Sequence, residues 1–377
     1  MVAAVGCCEA TNPNLVGIVA DPSTPGESGA RPRPAPGAEW DRRTTLKSLA
    51  AAAGVIAISG CDAAPEDGTV RLRLAFCGQL LCVVPYEVAR DRGHFAAEGL
   101  TVELVYTRGG NAAMQALVGG AVDYAGTSFD VALQAAANGA AIRRVASTGR
   151  LPLFALATAP GTVGDIDAPA ALAGRTVGIS ALGNADHALL LFLLERAGVD
   201  ADTVRFAAIG TNVFDALRLA QVDAAMLQEP ALTLIVEAGG RELANFMELE
   251  EARRYLGGTY EFMGVSVRAE ERDVRLPEIR RLAAALARGL DDTRTLPPGE
   301  VVAALPDALV AGGDVARLER VIDRYRRSLY PERVALDLEA AARVMQAQEV
   351  AGLLQPGEVD LDRLLDPAAL DGQESAP

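Results

Sequence analysis

Between residues 71 and 138 the chain switches repeatedly from period-two hydrophobic alternation to helical spacing, and no other feature constrains the fold as strongly. Residues 71–76 (RLRLAF) alternate, residues 82–95 (CVVPYEVARDRGHF) carry apolar side chains at helical intervals, and residues 100–106 (LTVELVY) alternate again. Short strands separated by single helices imply a parallel sheet with right-handed crossovers. In such a sheet the loops that follow the strands gather outside its carboxyl edge, where open α/β sheets bind ligands. Here those loops are Cys77-Gly78-Gln79, Arg108-Gly109-Gly110-Asn111 and Thr127-Ser128-Phe129. They are expected to form one wall of a cleft.

The alternation continues further along. Strands are expected at 141–147 and 153–158, then at 175–180, 204–209 and 222–227, with helices at 186–197 and 212–220 between the last three. A helix is expected to start at Glu229-Pro230, with a strand at 242–246 and an apolar return strand at 259–267 (TYEFMGVSV). Residues 276–354 read as almost wholly helical, interrupted at Pro297-Pro298, Gly312-Gly313 and Pro331, and residues 366–377 read as frayed. The fold class is therefore α/β in two lobes, each a mainly parallel sheet flanked by helices, with a C-terminal helical segment. The expected organisation is a leader over 1–60, a tether over 61–69, a first lobe over 70–155, a second over 156–260, a return to the first over 261–365 and a tail over 366–377.

A net charge of −15 with a pI near 4.7 argues against nucleic acid as a partner, since no basic stripe is present to neutralise phosphates. The first forty residues are rich in Pro, Gly, Ala and Ser and are not expected to pack. Arg42 and Arg43 precede an apolar run over 48–59 that is too short to span a bilayer. The pair resembles a twin-arginine export signal, although Thr45 stands where that pattern often has Phe. Ile58-Ser59-Gly60-Cys61 resembles a lipoprotein cleavage box, with Cys61 as the lipidated residue that would anchor the chain at the extracytoplasmic face of the membrane. The bland alternative is a short buried helix with an incidental cysteine.

Ala89, Gly93, Phe95, Gly99, Leu100, Val102 and Glu103, followed by the run GGNAAMQALVGG and by GTSF, carry a family resemblance. Over residues 71 to about 267 the chain resembles the solute-binding proteins of ABC importers for nitrate, sulfonates and taurine, a superfamily that also includes binders of thiamine-pyrimidine precursors. The resemblance implies a two-lobed periplasmic-binding-protein-like fold of type II. It also implies a small-molecule solute, permease and ATPase subunits as partners, and a monomer. It implies no enzymatic activity and no cofactor. Fungal pyrimidine-synthase relatives use lysine-bound pyridoxal phosphate, whereas Lys47, in the leader, is the only lysine here.

Each candidate site has a structural alternative. Gly183-Asn184 opens a helix whose free N-H groups can hold an anion, and His187 falls on the family's histidine, facing the cleft; Asn184 can instead be a plain cap and His187 a packed ring. Gly110 and Asn111 open a facing helix, and Thr127, Ser128 and Phe129 supply hydroxyls and a ring to the pocket wall. Gln228 and Glu229 resemble the family's acid-proline motif, Glu229 either receiving a ligand ammonium or holding backbone N-H groups. Phe262 either covers the ligand or is core. Cys77, beside Gly78 and Gln79, is expected to line the cleft, and Cys82 to be buried at a helix start without a bond between them. His94 and His187 are the only histidines and stand in no cluster of metal-ligand spacing. The expected ligand is an organic anion such as a sulfonate, taurine or nitrate. The alternatives are a heterocyclic precursor, or a sensor or surface lipoprotein on the same fold.

Overall fold

The computed structural model describes residues 69–162, 164–310 and 313–370. The expected leader, with Arg42, Arg43 and Cys61, lies outside the described residues, as does 371–377.

The chain runs β1 (Val70–Cys77), α1 (Leu80–Asp91), α2 (His94–Ala97), β2 (Leu100–Thr107), α3 (Gly110–Val118), β3 (Tyr124–Ser128), α4 (Phe129–Ala137) and β4 (Ile142–Gly149). In β1, Arg71 and Arg73 point to solvent while Leu72 and Leu74 are buried, which is the alternation read in the sequence. The single helix expected over 82–95 is broken in two. Gly93 takes φ +74, a left-handed turn that suits glycine and ends the first helical run.

The second group is β5 (Ala155–Thr158), β6 (Thr176–Ile179), α5 (Ala185–Arg196), β7 (Arg205–Ala208), α6 (Val213–Arg218), β8 (Ala224–Leu227), α7 (Ala231–Glu237), β9 (Glu242–Asn245) and α8 (Leu249–Leu256). Then β10 (Met263–Arg268) returns, followed by α9 (Leu276–Thr295), α10 (Pro298–Ala303), α11 (Asp307–Val310), α12 (Val315–Leu329), α13 (Leu338–Val350) and α14 (Leu361–Leu364).

Two five-stranded sheets result, in the orders β2-β1-β3-β10-β4 and β7-β6-β8-β5-β9. Each has parallel pairs, β1 with β2 and β3 in one and β6 with β7 and β8 in the other. Antiparallel β10 lies between β3 and β4, and antiparallel β5 lies between β8 and β9, so both sheets are mixed. The architecture is two-lobed α/β, each sheet flanked by helices.

The chain passes between the sheets at 150–154 and again at 257–262, and these segments lie side by side. Tyr260 N donates to Arg150 O and Phe262 N to Gly149 O, both at 2.9 Å. The C-terminal helices touch both lobes. Tyr325 on α12 accepts from Asn245 at 2.9 Å beside β9, while α13 packs on both α4 and α5. The end of the described chain is packed rather than frayed: Asp366 pairs with Arg272, and Ala369 is fully buried. Among the described residues no helix is long and apolar enough to cross a membrane.

Candidate functional site

The glycine-rich starts of α3 and α5, one following each sheet, meet at a single recess. Its volume is about 400 Å³, and its lining includes Asn111, Gln134, Gly183, Asn184, Leu353 and Glu358. Gly109 at φ +149 and Gly183 at φ +84 make the turns that aim both helix starts. In neither helix does the N-cap residue's side chain cap the first turn. Asn184 occupies the N-cap position of α5, but its Nδ2 donates to Ser180 Oγ at 3.0 Å. The buried Asp186 carboxylate holds the same turn, accepting from Ser180 N at 2.5 Å and Ser180 Oγ at 2.8 Å.

Gln134, on α4, joins the two lobes at this recess. Its Nε2 lies 3.1 Å from the Gly183 carbonyl oxygen and 3.1 Å from Gln348 Oε1 on α13. Gln348 Nε2 in turn donates to Asp130 Oδ1 at 2.7 Å. A ligand in the recess therefore meets groups from α3, α4, the α5 turn and the C-terminal segment at once.

Other expected site residues lie apart from the recess lining. His187 turns to its own loop: Nδ1 accepts from Gly183 N at 3.1 Å, and the ring stands edge-on to Phe206 with centroids 5.0 Å apart. Its partial burial lowers the imidazole pKa and favours the neutral acceptor. Glu229 accepts from Thr233 N and Thr233 Oγ1 at 3.1 Å each, with the half-buried Gln228 before it. Phe129 is fully buried, and Phe262 is buried edge-on to Phe154, where the chain passes between the sheets. Thr127 and Ser128 are buried at the end of β3, and Gly110 is pressed against Val131, 3.1 Å from where a Cβ would stand. Cys77 and Cys82 are both buried and are not joined by a disulfide, with Gly78 and Gln79 half-buried between them.

The sequence reading passed over a buried ionic cluster behind the recess. Arg144, fully buried on β4, donates Nη1 to Thr127 O at 2.9 Å and Nη2 to Phe262 O at 2.8 Å. Glu261 Oε1 stands 3.7 Å from Arg144 Nη2, beyond hydrogen-bonding reach, and Asp130 lies beside Tyr260 and Gln348. Burial drives the Asp130 carboxyl up to about 6 and the Glu261 carboxyl up to about 7, Arg144 offsetting only part of that cost. Among the described residues, Asp130 Oδ2, Glu261 Oε1, Arg144 Nε and Thr127 Oγ1 lack hydrogen-bond partners. The signal was present in the sequence as the period-two register of β4, which places Arg144 on the same face as Ile142 and Ala146.

A family model described as NMT1/THI5 like matches residues 83–298. No curated protein matches the chain. Among solved structures, a protein of Bordetella bronchiseptica RB50 is 23% identical with a TM-score of 0.69, covering 80% of this chain and 96% of its own. The periplasmic aliphatic sulphonate binding protein SsuA of Escherichia coli is 19% identical at a TM-score of 0.63, over 81% of this chain and 95% of its own. The periplasmic nitrate-binding protein NrtA of Synechocystis PCC 6803 is 12% identical at a TM-score of 0.62, over 80% and 87%. At these identities the likeness is one of fold.

Proposed function

The chain belongs to the NMT1/THI5-like family, and from that membership we propose that it is an extracytoplasmic solute-binding lipoprotein of an ABC importer that takes a sulfonate. In this reading the paired Arg42 and Arg43 direct export, lipidated Cys61 anchors the chain, and a monomer delivers its solute to permease and ATPase subunits. It acts by binding, without catalysis. The likeness of fold to the sulphonate and nitrate binders supports the reading.

The observation that carries it is the meeting of two uncapped helix starts, one from each lobe, at one recess. Backbone N-H groups at helix N-termini favour an anionic head group. The one carboxylate in the lining, Glu358, disfavours a bare anion and favours a ligand that also carries an ammonium. An aminosulfonate of the taurine kind meets both demands. A stacked heterocycle would need an accessible ring, whereas Phe129 and Phe262 are buried.

The mechanism is closure about the paired segments at 150–154 and 257–262. Contacts made from both lobes at once exist only in the closed arrangement, so the ligand shifts the population toward it. Isothermal titration of the full chain with taurine, an alkanesulfonate, nitrate and a thiamine-type pyrimidine tests the reading. Taurine is expected to bind tightest, with Asn111→Ala and Asn184→Ala each costing tenfold or more in affinity. Unchanged affinity in both variants overturns this placement of the site.

A further inference from the structure

Three sulfur atoms from three elements gather under the carboxyl edge of the first sheet. Cys77 ends β1, Cys82 lies in the first turn of α1, and Met263 begins β10. All three are buried, at 6%, 2% and 3% exposure. Cys82 Sγ is 3.5 Å from Met263 Sδ, and Cys77 is hydrogen-bonded to Cys82. Gln79 Oε1 accepts from both thiols, at 4.0 Å from Cys77 and 3.5 Å from Cys82.

The backbone fixes this gathering. In the sheet register Met263 stands opposite Ser128 on one side and Gly149 on the other. A Cβ at Gly149 would stand 3.0 Å from Met263 Cβ, so the glycine gives the methionine room at this point of the sheet. Two thiols and a thioether form a soft donor set. Sulfur ligands about 2.3 Å from one ion stand about 4 Å apart, close to the separation seen here between Cys82 and Met263. Zinc prefers a closed set of four ligands, whereas a soft monovalent ion accepts two or three sulfurs.

We propose that Cys77, Cys82 and Met263 form a binding site for a soft monovalent d10 cation, Cu(I) or its analogue Ag(I). Each thiol releases its proton to solvent, two thiolate-metal bonds form, the thioether adds a neutral third donor, and no electron moves. The complex then carries a single negative charge. The half-buried Gly78-Gln79 turn is the way in, with the Gln79 amide moving aside. This site is separate from the recess between α3 and α5, and it does not rest on the sulfonate reading.

The test uses the full chain with Cys7→Ser, Cys8→Ser and Cys61→Ser, so that 77 and 82 carry the only thiols, kept reduced under nitrogen. Titration with Cu(I) held by bicinchoninate is expected to transfer one equivalent to the protein, with an all-sulfur shell in X-ray absorption. Cys77→Ser and Cys82→Ser are each expected to lower affinity at least 100-fold, and the near-isosteric Met263→Leu about tenfold. Circular dichroism checks that each variant is folded. No transfer to the reduced protein, an oxygen or nitrogen shell, or wild-type affinity in folded Cys82→Ser overturns the proposal. Taurine titration of the metal-free protein is run in parallel, so failure of one reading leaves the other standing.

Discussion

Gln134 Nε2 lies 3.1 Å from the carbonyl oxygen of Gly183, so a helix that follows the first sheet donates directly to the turn that opens the ligand-facing helix of the second. The same amide reaches Gln348, whose own amide reaches Asp130, and this chain of hydrogen bonds runs from the recess to the buried Arg144 cluster. Contact between the lobes and the state of that cluster are thus physically connected.

Removing that donor is the first prediction. A typical intramolecular hydrogen bond contributes about 1 kcal/mol, so Gln134→Ala should weaken ligand affinity about fivefold. Small-angle scattering should show an increased radius of gyration without ligand. Wild-type dimensions together with wild-type affinity would remove Gln134 from the closure mechanism.

The Arg144 cluster predicts an unusual dependence of stability on pH. Burial holds Asp130 at about 6 and Glu261 at about 7, whereas both carboxyls ionise near pH 4 in the unfolded chain. Between those values the native state binds more protons than the unfolded one, so stability falls as pH rises. The contribution is complete below about pH 4, declines through the native values, and is gone above about pH 7. Each carboxyl contributes about 3 kcal/mol on this scale. Calorimetric melting at pH 5 and pH 8 should show wild type losing several degrees more than the Asp130→Asn, Glu261→Gln double variant. An equal loss in both proteins would mean that these carboxyls ionise normally in the fold.

Gly264 is the packing partner of that cluster. A Cβ there would come within 2.6 Å of Arg144 Nε and also collide with the Ala146 carbonyl oxygen. The neighbours are backbone and a pinned guanidinium, neither of which can yield. Gly264→Ala should therefore destabilise the fold by about 3 kcal/mol, the upper range for overpacking. Chemical denaturation measures this directly, and a loss below about 1 kcal/mol would show that β4 and β10 separate easily.

The sequence made the sheets legible because each strand and helix carries its own period. Leu72 and Leu74 point inward between Arg71 and Arg73, and any reader of period two finds β1. The turns at Gly109 and Gly183 were legible for a similar local reason, as glycines just before a helix. For His187 the sequence left a cleft-facing ring and a packed ring both open, because besides its local bond to Gly183 N the ring stands edge-on to Phe206, a contact across 19 residues that no local pattern carries. Arg144, Asp130, Glu261 and Gln348 form one cluster only because four segments distant in sequence are folded together. Periodicity reports burial, and it contains no term for which buried charges will meet. Over 366–370 the chain is packed where fraying was expected, since Arg272, 94 residues earlier, holds Asp366.

Glu358 offers the sharpest discrimination between ligands. It lines the recess beside Gly183 and Asn184, and its Oε2 accepts from Gln355 N at 2.8 Å, a bond within its own turn that fixes the carboxylate there. A sulfonate held by the helix N-termini experiences this carboxylate as repulsion, whereas an aminosulfonate turns its ammonium toward it. Glu358→Gln keeps the shape and removes the charge. The variant should lose about tenfold in taurine affinity, about 1.4 kcal/mol, while affinity for an alkanesulfonate without an amine stays the same or rises. Competition titration of both ligands on both proteins decides the matter. A loss of equal size for the two would mean that Glu358 shapes the recess without reading the ammonium, and the preference for a zwitterion would have to come from elsewhere.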